Sequence, residues 1–332
     1  MAGKRVALAL GSGGARGYAH IGVIEELQDR GYEIVGIAGS SMGALVGGLH
    51  AAGKLDEFSD WAKSLTQGAV LRLLDPSITA AGVLRATKIL DAVRDILGEV
   101  RIEDLPIPYT AVATDLIAGK SVWLQRGPVD AAIRASIAIP GVIAPHVLDG
   151  RLLADGGILE PLPMAPIAAV NADLTIAVSL AGSEAGGSEE PVEPAGQGQR
   201  ATTEWLARVW RSTASLFESN AMLNRFGAAP EDYPAGGDSE EELVDATKEA
   251  SVVPKLGSFE VMNRTIDIAQ AALARHQLAG YPPDMLIEVP RSACRSLEFH
   301  RAAEVIDIGI ELAAAALDAF DTKPGTPTVT ED

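Results

Sequence analysis

Short apolar runs alternate with amphipathic stretches along the first fifty residues of the chain. Residues 6–10 and 34–38 are mostly apolar, as expected for strands that are buried on both faces of a sheet. Between them, apolar side chains recur at spacings of three over residues 18–30, which predicts a helix that ends at Gly31. A turn at residues 39–43 and a second helix follow the second strand. This alternation of strands and helices is the beginning of a doubly wound α/β sheet.

The same patterns predict further strands and helices downstream. Residues 54–105 are predicted to be helical, with a break at Pro76. Strands are predicted at residues 109–115, 121–124, 174–180 and 285–289, a hairpin at 147–154, and helices at 129–136, 261–278 and 299–320. We therefore expect an α/β protein of three layers, in which helices cover both faces of a doubly wound, mostly parallel sheet.

A change of composition predicts an insertion in the second half of the chain. Residues 181–257 are rich in Gly, Ser, Glu and Pro, so we expect a flexible acidic insertion. Residues 4–320 are otherwise expected to form a single domain, with a core at about 4–180 and a C-terminal helical part at about 258–320. The remaining residues, 321–332, are expected to be a disordered tail.

Composition and charge narrow the range of functions and partners. Of 332 residues, 47% are hydrophobic but only 5% are aromatic, so the core must consist largely of Ala, Val, Leu and Ile. The formal net charge is −18. Nucleic-acid binding is therefore not expected, because it depends on Lys and Arg side chains that neutralise phosphates. An anionic membrane would repel such a chain, so we expect at most transient contact with a membrane surface.

Cysteine content and hydropathy bear on where the protein works. The single cysteine, Cys294, excludes an internal disulfide and has no Gly-rich turn or nearby base that would mark it as catalytic. The apolar run at residues 6–10 is too short for a signal peptide. No stretch reaches the roughly 18 uncharged apolar residues that a membrane span needs. We therefore expect a cytoplasmic protein.

A G-x-S-x-G pattern lies between the second predicted strand and the helix after it. Small residues at Gly39 and Gly43 let the chain turn sharply and expose the hydroxyl of Ser41 above the edge of the sheet. The N-terminus of the following helix directs free N–H groups and a partial positive charge towards this hydroxyl. The placement favours a nucleophile, although a plain strand–helix turn with a serine cap would give the same pattern.

The Gly-rich segment at residues 11–17 follows the first predicted strand. Glycines allow successive backbone N–H groups to point together and to bind an anion. Dinucleotide binding uses a similar loop, but Arg16 occupies the last glycine position of G-x-G-x-x-G, and no acidic residue ends the second strand. The sequence also lacks the Gly-Lys-Ser/Thr of a Walker A loop. An oxyanion hole therefore fits the segment better than a nucleotide site.

Asp155 ends a predicted strand and is followed by Gly156 and Gly157. A carboxylate in this position lies beside other loops, at the edge of the sheet where α/β proteins bind ligands. On its own, the segment is more typical of an ordinary Asp-Gly turn. Its significance depends on the other two segments.

Taken together, the three segments resemble the patatin-like phospholipase family. A Gly-rich loop with an arginine, then G-x-S-x-G, then D-G-G occur here in the order that is typical of that family. Ala113-Thr114-Asp115 and residues 134–141 (RASIAIPG) strengthen the resemblance, which covers about residues 4–180. Residues 261–278 and 299–309 are similar to the C-terminal part of bacterial members.

The resemblance implies a serine acyl-hydrolase that cleaves carboxylic esters of lipids through a Ser–Asp dyad and an acyl-enzyme. Ser41 would be the nucleophile and Asp155 the base. The residues implied for the oxyanion hole are Gly13, Gly14, Ala15 and Arg16, the last of which would fix the loop or add positive charge. The residues implied for the supporting turns are Gly11, Gly39, Gly43, Gly156 and Gly157. The partner would be a lipid or acyl-ester substrate, and no cofactor and no metal are implied.

The sequence leaves other assignments open. His20 or His146 would complete a Ser–His–Asp triad instead of a dyad. Residues 11–17 would alternatively serve a nucleotide-binding oxidoreductase, and a non-catalytic relative would bind an acyl ligand without cleaving it. Acyl-chain length, headgroup preference and oligomeric state are not predicted.

The role of the acidic insertion is open as well. Trp205, Trp210 and Phe217 would give residues 181–257 an apolar surface, as in a mobile lid that faces lipid. A solvated insertion with a small helix packed on the core would explain the same residues.

Overall fold

The described residues form an eight-stranded mixed sheet with helices on both of its faces. The computed structural model describes residues 4–73, 87–182 and 258–322. The strands are β1 (Arg5–Leu10), β2 (Glu33–Ser40), β3 (Tyr109–Asp115), β4 (Lys120–Leu124), β5 (His146–Leu148), β6 (Arg151–Asp155), β7 (Leu174–Gly182) and β8 (Met285–Pro290). The helices are α1 (Ala19–Asp29), α2 (Met42–Ala51), α3 (Leu55–Lys63), α4 (Gln67–Leu73), α5 (Thr87–Leu97), α6 (Val129–Ser136), α7 (Met164–Ile167), α8 (Ser258–Gly280) and α9 (Ala302–Asp321). The expected three-layer α/β architecture is confirmed.

The central strands are parallel and lie in the order β3–β2–β1–β7–β8. In β1, the larger side chains of Val6, Leu8 and Leu10 belong to a core shared with α1, α2 and α9, while Ala7 and Ala9 belong to a second core shared with α7 and α8. All five side chains are fully buried. Because helices cover both faces of this strand, its sequence is apolar without alternation.

The other edge of the sheet is antiparallel. The hairpin expected at residues 147–154 is formed by β5 and β6, but the sequence pattern did not indicate that β6 pairs with β3. β4 lies along one side of β3, and β2 and β6 share the other side. β2 runs parallel to β3 and ends at Ser40 opposite Val112, whereas β6 runs antiparallel and ends at Asp155 opposite Ala113. Since Val112 and Ala113 are adjacent, the ends of β2 and β6 meet head to head against β3. This arrangement brings two distant parts of the chain to one point of the sheet.

Several predicted elements have different bounds in the structure. The helix predicted at residues 18–30 is preceded by a 3-10 turn, Gly14–Tyr18, so the end of the Gly-rich segment is helical rather than an open loop. The helical region expected at residues 54–105 contains α3, α4, α5 and a short 3-10 turn, and Pro76 lies outside the described residues. The last predicted helix begins with a 3-10 turn, Phe299–Arg301, before α9.

Most of the expected insertion lies outside the described residues. β7 extends to Gly182, and residues 183–257, with Trp205, Trp210 and Phe217, are not described. α8 and α9 form the C-terminal helical part, and most of the expected tail is again outside the description. The domain bounds and the lid therefore stay predictions. In the three described ranges, no helix is both long and apolar enough to cross a membrane.

Candidate active site

Ser41 occupies the sharp turn between β2 and α2. Its backbone has φ 56° and ψ −121°, and a positive φ is uncommon for a residue with a side chain. Such a conformation is strained by about 1–3 kcal/mol and persists only where the surroundings hold it. The flanking glycines allow the turn, because a Cβ at Gly39 would collide with the carbonyl of Gly43, and a Cβ at Gly43 would collide with that of Leu10. The turn therefore needs both glycines of the G-x-S-x-G pattern.

Asp155 lies at the end of β6, beside Ser41. The hydroxyl of Ser41 donates to Oδ2 of Asp155 at 2.5 Å, and the N–H of Gly157 donates to Oδ1 at 2.7 Å. Ser41 and Asp155 are each only 3% exposed. The N–H of Asp155 donates to the carbonyl of Ala138, and its own carbonyl accepts from the hydroxyl of Thr114, both at 3.0 Å. The carboxylate is thus fixed within reach of the Ser41 proton.

The environment of Asp155 shifts its acidity. Burial raises the pKa of the Asp155 carboxyl to about 6, although the hydrogen bonds from Ser41 and Gly157 act in the opposite direction. A carboxyl group with this pKa is mostly ionised at neutral pH and accepts a proton more readily than an ordinary carboxylate does. The group is therefore suited to proton transfer near pH 7.

A second buried serine, Ser136, supports the backbone of Ser41. Its hydroxyl accepts the N–H of Ser41 at 2.9 Å and donates to the carbonyl of Val112 at 2.5 Å. Ser136 is the last residue of α6 and is fully buried. Sequence reasoning included it in residues 134–141 but gave it no role. A serine at the end of a helix does not by itself indicate a contact 95 residues away along the chain.

The Gly-rich segment contacts both sides of the Ser41–Asp155 pair. Gly17 packs against the side chain of Met42, the residue after Ser41. Gly157, two residues after Asp155, packs against the side chain of Ser12. The structure therefore brings the three segments singled out in the sequence to one place.

The N–H groups expected to bind an oxyanion are not equivalent. The N–H of Ala15 donates to the carbonyl of Ser296 at 2.9 Å, which argues against the expectation that Ala15 is an oxyanion donor. By contrast, no acceptor for the N–H of Gly13 or Gly14 occurs in the described part of the chain. Gly13 and Gly14 are therefore the better candidates for binding a negative oxygen.

Arg16 connects the Gly-rich segment to the C-terminal part of the chain. Its Nη2 atom lies 3.5 Å from Oγ of Ser296 and 3.8 Å from Oδ1 of Asp267. The residue is only 6% exposed. Burial lowers the pKa of the Arg16 guanidinium, and the charge of Asp267 opposes this shift. These contacts support the role of fixing the loop over that of adding charge to the oxyanion.

Neither of the two histidines considered for a triad forms a hydrogen bond with Asp155 in the described part of the chain. The Nε2 atom of His20 lies 2.8 Å from the carbonyl oxygen of Gly11, to which it donates. Burial lowers the pKa of His20 to about 4, so its ring is neutral at pH 7. His146 lies in β5, where burial lowers its pKa as well. In the described ranges, the carboxylate of Asp155 accepts hydrogen bonds from Ser41 and Gly157 only.

Serine hydrolases of the α/β class place their nucleophile on a sharp strand-to-helix turn of this kind. Sequence comparison identifies the protein family. Residues 8–168 match the profile of the patatin-like phospholipases. An uncharacterized NTE family protein of Mycobacterium tuberculosis is 68% identical over 341 aligned residues, which cover 96% of this chain and 92% of that protein. The chain therefore belongs to the patatin-like phospholipase family.

More distant similarities cover part of longer proteins. Human patatin-like phospholipase domain-containing protein 6 is 30% identical over 219 residues, which cover 64% of this chain and 15% of the human protein. Neuropathy target esterase sws of Drosophila melanogaster is 30% identical over 213 residues, which cover 62% of this chain and 14% of the fly protein. Among solved structures, VipD from Legionella pneumophila aligns with 96% of this chain and 67% of its own, at a TM-score of 0.43 and 14% identity. The likeness to VipD is too remote to bear on function.

Proposed function

We propose that this protein is a serine acyl-hydrolase that cleaves carboxylic esters of lipids, with Ser41 as nucleophile and Asp155 as general base. The observation that carries the proposal is the 2.5 Å hydrogen bond from the hydroxyl of Ser41 to the buried carboxylate of Asp155. Membership of the patatin-like phospholipase family supports a lipid ester as the substrate class. Distant relatives with phospholipase and esterase names support the same class.

In the first half of the reaction, Oγ of Ser41 attacks the carbonyl carbon of the ester while its proton passes to Oδ2 of Asp155. The negative carbonyl oxygen would accept hydrogen bonds from the N–H groups of Gly13 and Gly14. The bond from the carbonyl carbon to the alcohol then breaks. The alcohol leaves with the proton from Asp155, and the acyl group stays on Ser41.

In the second half, water gives a proton to Asp155 and adds to the acyl carbon. The resulting intermediate expels Oγ of Ser41, which takes the proton back, and the carboxylic acid is released. The same carboxylate acts as base and then as acid in each half. A pKa near 6 suits both roles at neutral pH.

The nucleotide-binding alternative receives less support from the geometry. A phosphate nest needs successive free N–H groups. The N–H of Gly11 donates to the carbonyl of Val178 at 3.0 Å, and that of Ser12 donates to the carbonyl of Pro161 at 2.8 Å. The N–H groups of Gly11 and Ser12 are thus engaged in holding the fold, which leaves those of Gly13 and Gly14 for an anion.

Labelling with a fluorophosphonate probe tests the proposal, together with hydrolysis of short- and long-chain p-nitrophenyl esters. We expect Ser41→Ala to abolish labelling and turnover. Asp155→Asn should lower turnover by about 10²–10⁴-fold, because general base catalysis contributes that much. Ser40→Ala is the matched control, since Ser40 is the neighbouring buried serine and should not react.

Two results would overturn the proposal. Labelling that persists in Ser41→Ala would place the nucleophile elsewhere. A well-folded wild-type protein that neither labels nor cleaves any ester would favour the non-catalytic relative that binds an acyl ligand.

A further inference from the structure

One face of α8 lies against the Gly-rich segment at residues 11–17. Asp267 and Gln270 are three residues apart in this helix, so their side chains lie side by side. Oδ1 of Asp267 is 3.8 Å from Nη2 of Arg16. Oε1 of Gln270 accepts a hydrogen bond from the hydroxyl of Ser12 at 3.4 Å. The C-terminal helix therefore contacts the segment that is expected to bind the oxyanion.

The same face of α8 contacts the chain that follows Asp155. Gln277 lies seven residues after Gln270, two turns further along the helix. Its Nε2 atom donates to the carbonyl of Leu159, and its Oε1 atom accepts from the N–H of Leu162, both at 3.2 Å. The two glutamines are partly buried. They therefore connect α8 to the turn that carries the candidate base.

The turn itself is held between two groups of neighbours. A Cβ at Gly156 would collide with the carbonyl of Val112 in β3. A Cβ at Gly157 would lie 2.5 Å from Oγ of Ser12 and 2.7 Å from Nε2 of Gln270. Both distances are shorter than a real Cβ contact, so neither glycine has room for a side chain. Gly157 is thus packed directly against the hydrogen-bonded pair of Ser12 and Gln270.

Gly157 in turn fixes the carboxylate of Asp155. Its N–H donates to Oδ1 of Asp155 at 2.7 Å, while the other oxygen, Oδ2, accepts the hydroxyl of Ser41 at 2.5 Å. Because the two oxygens belong to one rigid group, the position of Oδ1 determines where Oδ2 points. A shift of Gly157 would therefore move the proton acceptor relative to Ser41.

We propose that Gln270 is a positioning residue for the reaction, which together with Ser12 keeps Gly157 where its N–H fixes the carboxylate of Asp155. Gln270 acts through Gly157 and not on the reacting atoms. Its partner Ser12 is 258 residues away along the chain, so the C-terminal helix completes a site whose nucleophile and base lie before residue 160. The role in catalysis rests on the proposed function, whereas the effect on the Asp155 carboxylate does not require catalysis.

The contact has a consequence for the acidity of Asp155. The hydrogen bond from Gly157 lowers the pKa of the Asp155 carboxyl and opposes the effect of burial, because it stabilises the ionised form. A weaker hydrogen bond would therefore raise this pKa above about 6. Burial and the hydrogen bonds from Ser41 and Gly157 determine the shift, and no charged neighbour contributes to it in the described part of the chain. The titratable groups on the surrounding elements are Arg16, Asp115, Arg134, His146 and Asp267.

Gln270→Ala in the full chain tests the proposal. We expect the midpoint of kcat/KM against pH, with a soluble p-nitrophenyl ester, to rise from near pH 6 to about pH 7, because loss of a hydrogen bond to a charged group has an effect of this order. At the plateau, kcat should fall by about 10-fold or more with little change in KM. Carbon-13 NMR of the Asp155 carboxyl, assigned by comparison with Asp155→Asn, measures the same pKa without a substrate.

Gln277→Ala is the matched control. Gln277 belongs to the same helix and binds the same stretch of chain, but at Leu159 and Leu162 rather than at Gly157. The variant should lose stability, since two backbone groups lose a partner, and should keep the midpoint near pH 6.

The outcomes separate this proposal from the catalytic one. A higher midpoint and a higher Asp155 pKa in Gln270→Ala alone would support it. An unchanged Asp155 pKa in folded Gln270→Ala would overturn it, and so would an equal rise in Gln277→Ala, because α8 would then act only through general packing. If the wild type cleaves no ester, the proposed function fails, while the NMR titration still decides whether Gln270 positions the carboxylate.

Discussion

The hydroxyl of Ser136 holds the backbone of Ser41 from the end of a different helix. It accepts a hydrogen bond from the N–H of Ser41 at 2.9 Å and donates one to the carbonyl of Val112 in β3. Ser41 has the strained φ of 56°, and such a conformation needs support from its surroundings. The contact therefore links the geometry of the candidate nucleophile to the sheet and to α6.

Replacement of Ser136 by alanine should affect turnover more than substrate binding. The buried N–H of Ser41 would lose its partner, at a cost of about 1–3 kcal/mol in the free energy of unfolding. As the turn relaxes, we expect kcat to fall by about 10–100-fold with little change in KM, because small misplacements of reacting groups have effects of this size. Urea unfolding and steady-state hydrolysis of a p-nitrophenyl ester measure the two effects.

Ser59→Ala is the matched control for this substitution. Ser59 lies in α3 and is also buried, but its hydroxyl has no hydrogen-bond partner within the described residues. The change should leave kcat unaltered and should not reduce stability. Equal losses of activity in both variants would mean that Ser136 acts only through general packing.

The sequence predicted those features that depend on local patterns. Apolar runs identified the parallel strands, and glycines around Ser41 identified the sharp turn, because both signals lie within a few residues. The Asp149-Gly150 hairpin was identified for the same reason, and its residues have φ of 50° and 74°.

Features that depend on distant parts of the chain were not predicted. The sequence of β6 does not say that it runs antiparallel to β3 and meets the end of β2, since strand partners are chosen by the whole fold. The contact of Ser136 with Ser41 is of this kind. So is the hydrogen bond from the Ala15 N–H to the carbonyl of Ser296, which argues against Ala15 as an oxyanion donor.

The pH dependence of turnover should reflect the buried carboxylate. Only the ionised form of Asp155 accepts the Ser41 proton, and burial raises its pKa to about 6. We expect kcat/KM for a soluble ester to rise with pH and to reach half of its plateau near pH 6. A midpoint close to pH 4 would contradict this assignment. Because a triad histidine would also titrate near neutrality, profiles of His20→Gln and His146→Gln serve as controls and should keep the same midpoint.

Asp155→Asn should lose activity but gain stability above pH 6. The pKa of Asp155 rises from 3.8 to about 6 on folding, so the native state holds this proton more tightly than the unfolded chain does. The free energy of unfolding of the wild type therefore falls as pH rises from 3.8 to about 6. This fall is on the order of 3 kcal/mol. The amide oxygen of asparagine accepts the N–H of Gly157, and its NH2 group donates to Ser41. Chemical unfolding should show the variant more stable at pH 8, with the difference vanishing near pH 4.

His20→Gln should retain activity and change the response to acid. Burial lowers the pKa of His20 from 6.5 to about 4, so the unfolded chain takes up this proton first, and stability falls as pH decreases from 6.5 to 4. Glutamine still offers a donor to the carbonyl of Gly11 and does not titrate. The variant should therefore lose less stability in this window than His276→Gln, a control at an exposed histidine. A loss of turnover by 10³-fold or more would instead favour a triad through His20.

Gly14→Ala should reduce turnover far more than a comparable glycine substitution elsewhere. Gly14 has φ of 58°, and a Cβ there would collide with the carbonyl of Ser296, which holds the N–H of Ala15. The Gly-rich segment must then shift, and with it the N–H groups of Gly13 and Gly14. Loss of one oxyanion donor lowers kcat by about 10²–10³-fold, so an effect of this size is expected.

Gly31→Ala provides the control, because Gly31 has φ of 77° but a Cβ there would meet nothing within 4 Å. Both variants bear the strain of a positive φ, about 1–2 kcal/mol. Gly14→Ala should lose further stability through the collision with Ser296, which Gly31→Ala lacks. Only Gly14→Ala should lose fluorophosphonate labelling. Labelling at the wild-type rate in folded Gly14→Ala would show that this segment does not bind the oxyanion.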